Sequence, residues 1–263
     1  MFALHGLGRV SPPVTPAIPT IPVLGMNLAV VQLRTPLLKV PRARAMVLAA
    51  VEQAVKARAD LVLLPELCTT GYPLNSREEA LSVAEPTYGD TAKQVQALLA
   101  GMGSDALVAY GYPEVARNGH LYNSMALVSA QGVEQNYRKV ALYKADKPWA
   151  TGGSRHMLWN VKGLLVAPGI CADGSDPDYW HYLAQAQPDL VLFSSCWVTD
   201  PVDPPEKWAV MTYFGAYLAA ADRWGEDRGV SYPGRSCVMP PESTGETLVA
   251  AGATGDCILL CPL

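Results

Sequence analysis

The stretch LLVAPGICAD, residues 164–173, is the part of the sequence around which the fold and a candidate site are organised. An apolar run long enough for one buried strand ends in Pro168-Gly169, and Cys171 stands where the chain turns. Side chains at such strand ends are positioned by the sheet and remain open to a ligand. Cysteine is intrinsically a strong nucleophile, whereas an isolated free cysteine usually only packs in a core.

Two other stretches favour the chemical interpretation of Cys171. Residues 61–66 read LVLLPE, an apolar run that ends in Glu66, and residues 137–142 read YRKVAL, which places Lys139 in a strand-like segment. A carboxylate, an ammonium and a thiol can act as base, oxyanion stabiliser and nucleophile. Taken singly, Glu66 could be a loop carboxylate and Lys139 a solvated charge on an edge strand.

The order Glu66, Lys139, Cys171, with Pro65, Tyr137, Arg138 and Asp173 flanking them, resembles the nitrilase, or carbon–nitrogen hydrolase, superfamily. The similarity runs from Met26 to the end of the chain. The resemblance implies a four-layer α-β-β-α sandwich, an α/β fold in which two sheets pack face to face. It also implies that Glu66 is the general base, Lys139 the oxyanion stabiliser and Cys171 the nucleophile.

Other site residues follow from the resemblance or from strand ends. By resemblance, Glu114 holds Lys139 and touches the substrate amide; the alternative is a carboxylate that merely ends a strand. The backbone N–H of Ala172 would complete an oxyanion hole, and Asp173 would orient the turn that carries the cysteine. Two aromatic residues, Tyr72 and Trp197, follow strand ends. We interpret them either as walls of a substrate pocket or as ordinary aromatic residues of the core or rim.

Arg138 and Lys139 are adjacent on one strand, so their side chains point to opposite sides. We expect Arg138 to make a structural ion pair while Lys139 faces the site.

Periodicity gives the order of elements in outline. Strands are expected at residues 27–33, 61–64, 106–112, 121–129, 133–142, 190–194, 235–239, 247–251 and 256–260. Helices are expected at residues 43–59, 91–102, from 177 onward, and 206–221. An Asn-Gly turn at residues 117–120 predicts a hairpin. The pattern is compatible with the sandwich but does not by itself distinguish two sheets from one.

The composition and charge of the chain limit the classes of protein to which it can belong. The chain has 263 residues, of which 50% are hydrophobic and 17% charged, and its formal net charge is −4. These values predict an ordered globule of one domain at residues 26–263, after a Pro-rich tail at residues 1–25 that we expect to be poorly ordered. No Lys/Arg cluster predicts nucleic-acid binding, and no apolar run reaches the roughly 20 residues of a membrane span.

Six cysteines without a C-x-x-C pair predict neither a zinc site nor a disulfide framework, and they favour a reducing, cytoplasmic location. Cys68, Cys196 and Cys237 fall in or beside apolar stretches, as small core residues do.

The predicted function is hydrolysis of a small-molecule amide or N-carbamoyl bond through a cysteine thioester, with no cofactor and no metal. A nitrilase is the near alternative, although Ala172-Asp173 after the cysteine favours amides. A catalytically silent family member that serves as a scaffold is a second alternative, because residues 174–178 and 213–222 depart from the family pattern. A papain-like protease is weaker, since no histidine is marked as its base. The resemblance implies a homodimer or higher homo-oligomer.

Overall fold

The computed structural model describes residues 23–198 and 202–263. Most of the segment predicted to be a loose tail, residues 1–22, lies outside this range. Within the range, Leu24 packs on the core, and Met26 is buried with its backbone bonded to Leu263. The body of the fold therefore extends at least to Leu24.

The described chain alternates strands and helices, with a meander in the middle. The strands are β1 (Asn27–Gln32), β2 (Leu61–Leu63), β3 (Leu107–Val115), β4 (Leu121–Ser129), β5 (Gly132–Arg138), β6 (Trp159–Val161), β7 (Leu164–Ile170), β8 (Leu190–Ser195), β9 (Tyr217–Asp222), β10 (Trp224–Asp227), β11 (Val230–Pro233), β12 (Cys237–Met239), β13 (Val249–Ala250) and β14 (Cys257–Pro262). The α-helices are α1 (Val40–Lys56), α2 (Arg77–Val83), α3 (Asp90–Gly101), α4 (Pro177–Ala186) and α5 (Pro204–Trp208). Short 3-10 helices span Cys171–Ser175 and Ala209–Thr212.

The strands form two six-stranded sheets, in the orders β14-β1-β2-β3-β4-β5 and β13-β12-β9-β8-β7-β6, and a separate β10-β11 hairpin. Each large sheet has three parallel strands at its centre, β1-β2-β3 and β9-β8-β7, with antiparallel strands at both edges. Parallel neighbours need crossover connections. Helix α1 lies in the one between β1 and β2, α2 and α3 in the next, α4 in the one between β7 and β8, and α5 in the one between β8 and β9. The carboxyl ends of β7, β8 and β9 therefore lie along one edge of their sheet.

The two sheets pack face to face, with helices on their outer faces. Val30, Leu63, Ile170 and Leu192 belong to the core cluster between the sheets. Alternate residues such as Val31 pack with helices α1 and α3 on the outside of the first sheet. Helices α4 and α5 cover the outside of the second sheet in the same way. The predicted four-layer α-β-β-α sandwich is confirmed.

One predicted element is wrong. Residues 206–221 were expected to be helical, but they form α5, the 3-10 helix Ala209–Thr212 and strand β9. Gly215 breaks the segment with a φ of +80°, a left-handed conformation that suits glycine. The alanine-rich run that follows is fully buried between β8 and β12, where small side chains suit a strand covered on both faces. Tertiary burial here overrides alanine's preference for helix.

No helix within residues 23–198 and 202–263 combines the length and apolarity that crossing a membrane requires. All six cysteines are free thiols, and the three expected to be small core residues (Cys68, Cys196 and Cys237) are buried.

Candidate active site

Glu66 lies in the loop directly after β2 and its side chain is fully buried. Its Oε1 accepts hydrogen bonds from Lys139 Nζ at 2.7 Å and Asn123 Nδ2 at 2.7 Å, and its Oε2 accepts from the Cys196 backbone N at 2.8 Å. The loop fits against β3 because Gly111 has no side chain: a Cβ there would lie 2.6 Å from Glu66 Cα. Burial raises the pKa of Glu66, opposed by the Lys139 ammonium, and Asp146 raises it further.

Lys139 follows the last residue of β5 and is also fully buried. Its Nζ donates to Glu66 Oε1 at 2.7 Å and to Asp146 Oδ2 at 2.7 Å. Burial alone would lower the pKa of Lys139, but the carboxylates of Asp146 and Glu66 raise it well above its ordinary value. The ammonium is therefore charged at neutral pH, and it uses two of its three protons on these carboxylates.

Asp146 is the main site residue that sequence reasoning missed. Its Oδ2 also accepts from Tyr143 N at 3.0 Å, and its Oδ1 accepts from Asn123 Nδ2 at 3.3 Å and Tyr72 OH at 3.4 Å. Two lysines, Lys144 and Lys147, flank it closely in sequence, so the segment has the composition of a solvated turn. The one sequence-based hint of Asp146 was the expectation that Lys139 faces a buried site. A buried ammonium has three protons to donate, so Glu66 alone would not satisfy it and a second acceptor was to be expected.

Cys171 occupies the sharp turn after β7, where the 3-10 helix Cys171–Ser175 begins. Its φ is +44°, a left-handed conformation that costs a non-glycine residue of order 1–3 kcal/mol and is often found at functional sites. The charged groups that act on its thiol are Glu66, Lys139 and Asp146. Burial and Glu66 raise the pKa of Cys171 while Lys139 lowers it, with a net rise, so the resting thiol is neutral.

Asp173 holds the cysteine turn in place. Its Oδ2 accepts from Ile170 N at 3.0 Å and Tyr137 OH at 2.8 Å, and its Oδ1 accepts from Val140 N at 3.1 Å and Ala141 N at 2.8 Å. Burial raises the pKa of Asp173 to about 6, with hydrogen bonds from Ala141 and Ile170 opposing the rise. The carboxylate thus ties the turn after β7 to the chain that leaves Lys139.

A cavity of about 350 Å³ opens at the cysteine. Its lining residues are Tyr143, Cys171, Ala172, Ser175, Trp197, Val198 and Lys207. The Trp197 ring packs edge-on against Trp208 with centroids 5.8 Å apart, which fixes this wall of the cavity. Two of the predicted supporting residues, Ala172 and Trp197, therefore lie beside Cys171.

Glu114 and Tyr72 lie elsewhere than expected. Glu114 does not hold Lys139: its carboxylate receives Arg138 Nη2 at 2.6 Å and Nε at 2.9 Å, a bidentate ion pair outside the site. This corrects the expectation for Glu114, because the residue that holds Lys139 together with Glu66 is Asp146. Tyr72 is buried behind that carboxylate and is absent from the cavity lining.

No group of three or more His, Cys, Asp or Glu side chains in the part of the chain that the structure describes is arranged to hold a metal ion.

Comparison with known proteins shows the family to which the chain belongs. A model of the carbon-nitrogen hydrolase family matches residues 27–259, which reach from β1 to β14. The chain belongs to the carbon–nitrogen hydrolase family. It is thus a hydrolase of non-peptide carbon–nitrogen bonds, as the resemblance implied.

Individual carbon–nitrogen hydrolases show how close the similarity is. An (R)-stereoselective amidase of Pseudomonas sp. is 30% identical over 73% of this chain and 69% of its own. A nitrilase of Pyrococcus abyssi is 29% identical over 78% of this chain and 76% of its own. Among solved structures, an amidase from Nesterenkonia sp. AN1 superposes with a TM-score of 0.77 at 21% identity, covering 90% of this chain and 93% of that one. The last likeness supports the fold alone.

Proposed function

We propose that this hydrolase cleaves a small-molecule amide or N-carbamoyl bond through a thioester on Cys171, releasing ammonia or an amine and a carboxylic acid. The observation that carries the proposal is the buried ion pair of Glu66 and Lys139, joined at 2.7 Å beside the thiol. A buried ammonium between two carboxylates is costly to desolvate. A catalytic role for Lys139 and its carboxylates accounts for the burial of these charges despite that cost.

Of the two carboxylates, Glu66 is the one able to act as the base. Asp146 already accepts four hydrogen bonds, from Lys139, Tyr143, Asn123 and Tyr72. A carboxylate has about four lone-pair sites, so Asp146 is saturated. Glu66 accepts three among the described residues and keeps one site for a proton.

In the first half-reaction, Sγ of Cys171 attacks the substrate carbonyl carbon and the thiol proton passes to Glu66. The oxyanion that forms is stabilised by the third proton of Lys139 Nζ and by the Ala172 backbone N–H. The carbon–nitrogen bond then breaks, and the departing nitrogen takes the proton from Glu66. The product of this step is the acyl thioester.

In the second half-reaction, water attacks the thioester carbonyl and gives a proton to Glu66. The carbon–sulfur bond breaks, the acid is released, and the sulfur of Cys171 recovers its proton from Glu66. The same oxyanion donors serve both halves, so the cycle needs only Glu66 to alternate between base and acid.

The cavity and the relatives support a small amide as substrate. A volume of about 350 Å³ lies at the lower end of the range for ligand pockets. The (R)-stereoselective amidase is one relative, and a 2-oxoglutaramate amidase of Bacillus subtilis, 25% identical over 70% of this chain, is another.

The test measures ammonia released from small amides, N-carbamoyl amino acids and nitriles, with acid-quenched mass spectrometry of the peptide that carries Cys171. We expect release from members of the first two classes and an acyl adduct on Cys171. Cys171→Ala should remove both, while Cys68→Ala, a matched change at another buried thiol, should retain them. Release by folded Cys171→Ala would overturn the mechanism, and release from nitriles alone would overturn the substrate class.

A further inference from the structure

Two buried polar groups that the mechanism above does not use lie behind the nucleophile. Ser195 ends β8, Asp222 ends β9, and the two residues are paired in the parallel register. Both side chains are fully buried. Ile170 is paired with Ser194 in the same parallel register, so Cys171, Ser195 and Asp222 stand side by side at the carboxyl ends of β7, β8 and β9. The order in space is therefore Asp222, Ser195, Cys171.

These two groups are unusual because their hydrogen-bonding capacity is not satisfied. Asp222 Oδ1 accepts from Trp197 N at 2.8 Å, but Asp222 Oδ2 and Ser195 Oγ reach no partner of ordinary hydrogen-bond geometry among the described residues. Leaving such atoms buried without a hydrogen-bond partner is unfavourable. Hydrogen bonds in catalytic sites are often long before substrate binds and tighten during the reaction. Long hydrogen bonds that tighten are what we expect of Ser195 and Asp222 if they lie beside the Cys171 sulfur, which gains negative charge during the reaction.

We propose that Ser195 and Asp222 form a donor chain, in which the carboxyl O–H of Asp222 donates to Ser195 Oγ and the Ser195 O–H donates to the sulfur of Cys171. The inference rests on the proposed role of Cys171 as the nucleophile. No bond is made or broken in the chain, and its effect is to stabilise the sulfur when it carries negative charge. In this chain Ser195 donates directly to the reacting atom, and Asp222 is a positioning residue that acts through Ser195.

The direction of the chain follows from the protonation of Asp222. Asp222 Oδ2 is buried and receives no hydrogen bond from the described residues, and an ionised oxygen is costly to bury in that way, so we place the carboxyl proton on it. Burial raises the pKa of Asp222 well above its usual range, in the same direction. The titratable groups that interact with it are Glu66, Cys196, Arg223 and Cys237. Those that interact with the thiol are Glu66, Lys139, Asp146, Cys196, Tyr72 and Tyr232.

The experiment follows alkylation of Cys171 by iodoacetamide against pH, read by mass spectrometry of its peptide, together with kcat and KM for the best amide. For Ser195→Ala we expect the pH midpoint of alkylation to rise by about 1 to 2 pH units and kcat to fall about 10- to 100-fold with KM little changed. Asp222→Ala should act in the same direction. Asp222→Asn should stay within about threefold of wild type, because an amide N–H replaces the carboxyl O–H as donor.

The neighbouring hydroxyl provides the matched control. Ser194 Oγ donates to Leu64 O at 3.0 Å, away from the thiol. Ser194→Ala therefore removes a buried hydroxyl from the same strand and should leave the midpoint unchanged. An unchanged midpoint in Ser195→Ala would overturn the donor chain, and so would Asp222→Asn if it behaved like Asp222→Ala. If the midpoints shift as expected while no amide is hydrolysed, the chain stands and the proposed function fails.

Discussion

Two cations next to each other in sequence, Arg138 and Lys139, belong to ion pairs of opposite character. Arg138 forms a bidentate pair with Glu114 on one side of the strand, and its side chain is 38% exposed. Lys139 pairs with Glu66 on the other side, and both of those side chains are 0% exposed. The Glu114 side chain is only 1% exposed, so the two pairs differ in the exposure of the cation and not of the carboxylate. The strand's alternation thus separates a partly exposed cation from a fully buried one within a single step of the chain.

The two glutamates differ in how much hydrogen-bonding capacity they have left. Glu114 accepts from Thr87, Ser124, Asn136 and both Arg138 nitrogens, which fills its lone pairs. Among the described residues Glu66 accepts three hydrogen bonds, and it adjoins a thiol. A saturated carboxylate holds structure together, whereas an unsaturated one beside a proton donor can take a proton.

The largest expected effect comes from changing each glutamate to glutamine. Glu66→Gln removes the base, which serves both half-reactions, so turnover should fall by at least about 10²–10⁴. Glu114→Gln should leave turnover within about threefold. Ammonia release at saturating substrate measures both, with circular dichroism to establish folding. Equal losses in the two variants would erase the distinction between the carboxylates.

The next effect contrasts Lys139→Met with Arg138→Met. Lys139→Met removes a charge from a dry site and one oxyanion donor, so turnover should fall by about 10²–10³. It should also raise the pH at which Cys171 is alkylated, because Lys139 lowers the pKa of that thiol. Raising the pH should therefore recover alkylation but not hydrolysis.

Arg138→Met is the control, and it should leave both hydrolysis and alkylation near wild type. Near-normal hydrolysis by folded Lys139→Met would remove the lysine from the mechanism.

Asp146→Asn gives a smaller and qualitatively different effect. The variant keeps the shape but leaves Lys139 with one anionic partner, so turnover should fall about 10- to 100-fold. Asp146 raises the pKa of the Cys171 thiol, so its removal should lower the alkylation midpoint while hydrolysis decreases. Alkylation and hydrolysis would then change in opposite directions, unlike in Lys139→Met. A midpoint that rises instead would show that Asp146 acts mainly by holding Lys139 in place.

Part of the site could be predicted from local patterns in the sequence. Glu66 and Cys171 each follow an apolar run, and an apolar run that ends abruptly in a polar residue is a signal readable from sequence. The opposite orientation of Arg138 and Lys139 followed from strand alternation, and the structure agrees. Both predictions depend only on local periodicity.

What failed depended on pairings distant in sequence. The partner of Arg138 is Glu114, which the β3-β4-β5 register brings beside it, and resemblance alone had paired Glu114 with Lys139. Asp146 was missed because its neighbours have the composition of an exposed turn. Residues 206–221 were predicted as helix because alanine favours helices, whereas burial between two strands decided for β9.

The last prediction concerns stability: we expect the Glu114–Arg138 pair to affect activity least and to make the free energy of unfolding depend on pH. Burial would raise the pKa of Glu114, but hydrogen bonds from Arg138 and Ser124 outweigh it and lower the pKa below 4.5. Because the folded-state pKa is depressed, the pair's stabilisation is present above the unfolded pKa and is lost as pH falls through the folded one. At pH 7, Glu114→Gln should lower the free energy of unfolding by about 1–3 kcal/mol, a range that allows for the half-exposed arginine. Below pH 4 the difference from wild type should shrink, as urea unfolding at a series of pH values would show.

Glu52→Gln is the matched control, because Glu52 pairs with Lys56 at 2.6 Å on the exposed face of α1. That change should alter the unfolding free energy by less than about 0.5 kcal/mol at any of these pH values. A destabilisation by Glu114→Gln that is the same at pH 7 and at every pH measured below 4 would mean that the glutamate acts by shape and neutral hydrogen bonds rather than by charge. The contrast with Glu66 would then rest on hydrogen-bonding capacity alone, since both carboxylates are buried. A loss confined to higher pH would establish that the negative charge of Glu114, paired with Arg138, stabilises the fold on its side of the strand.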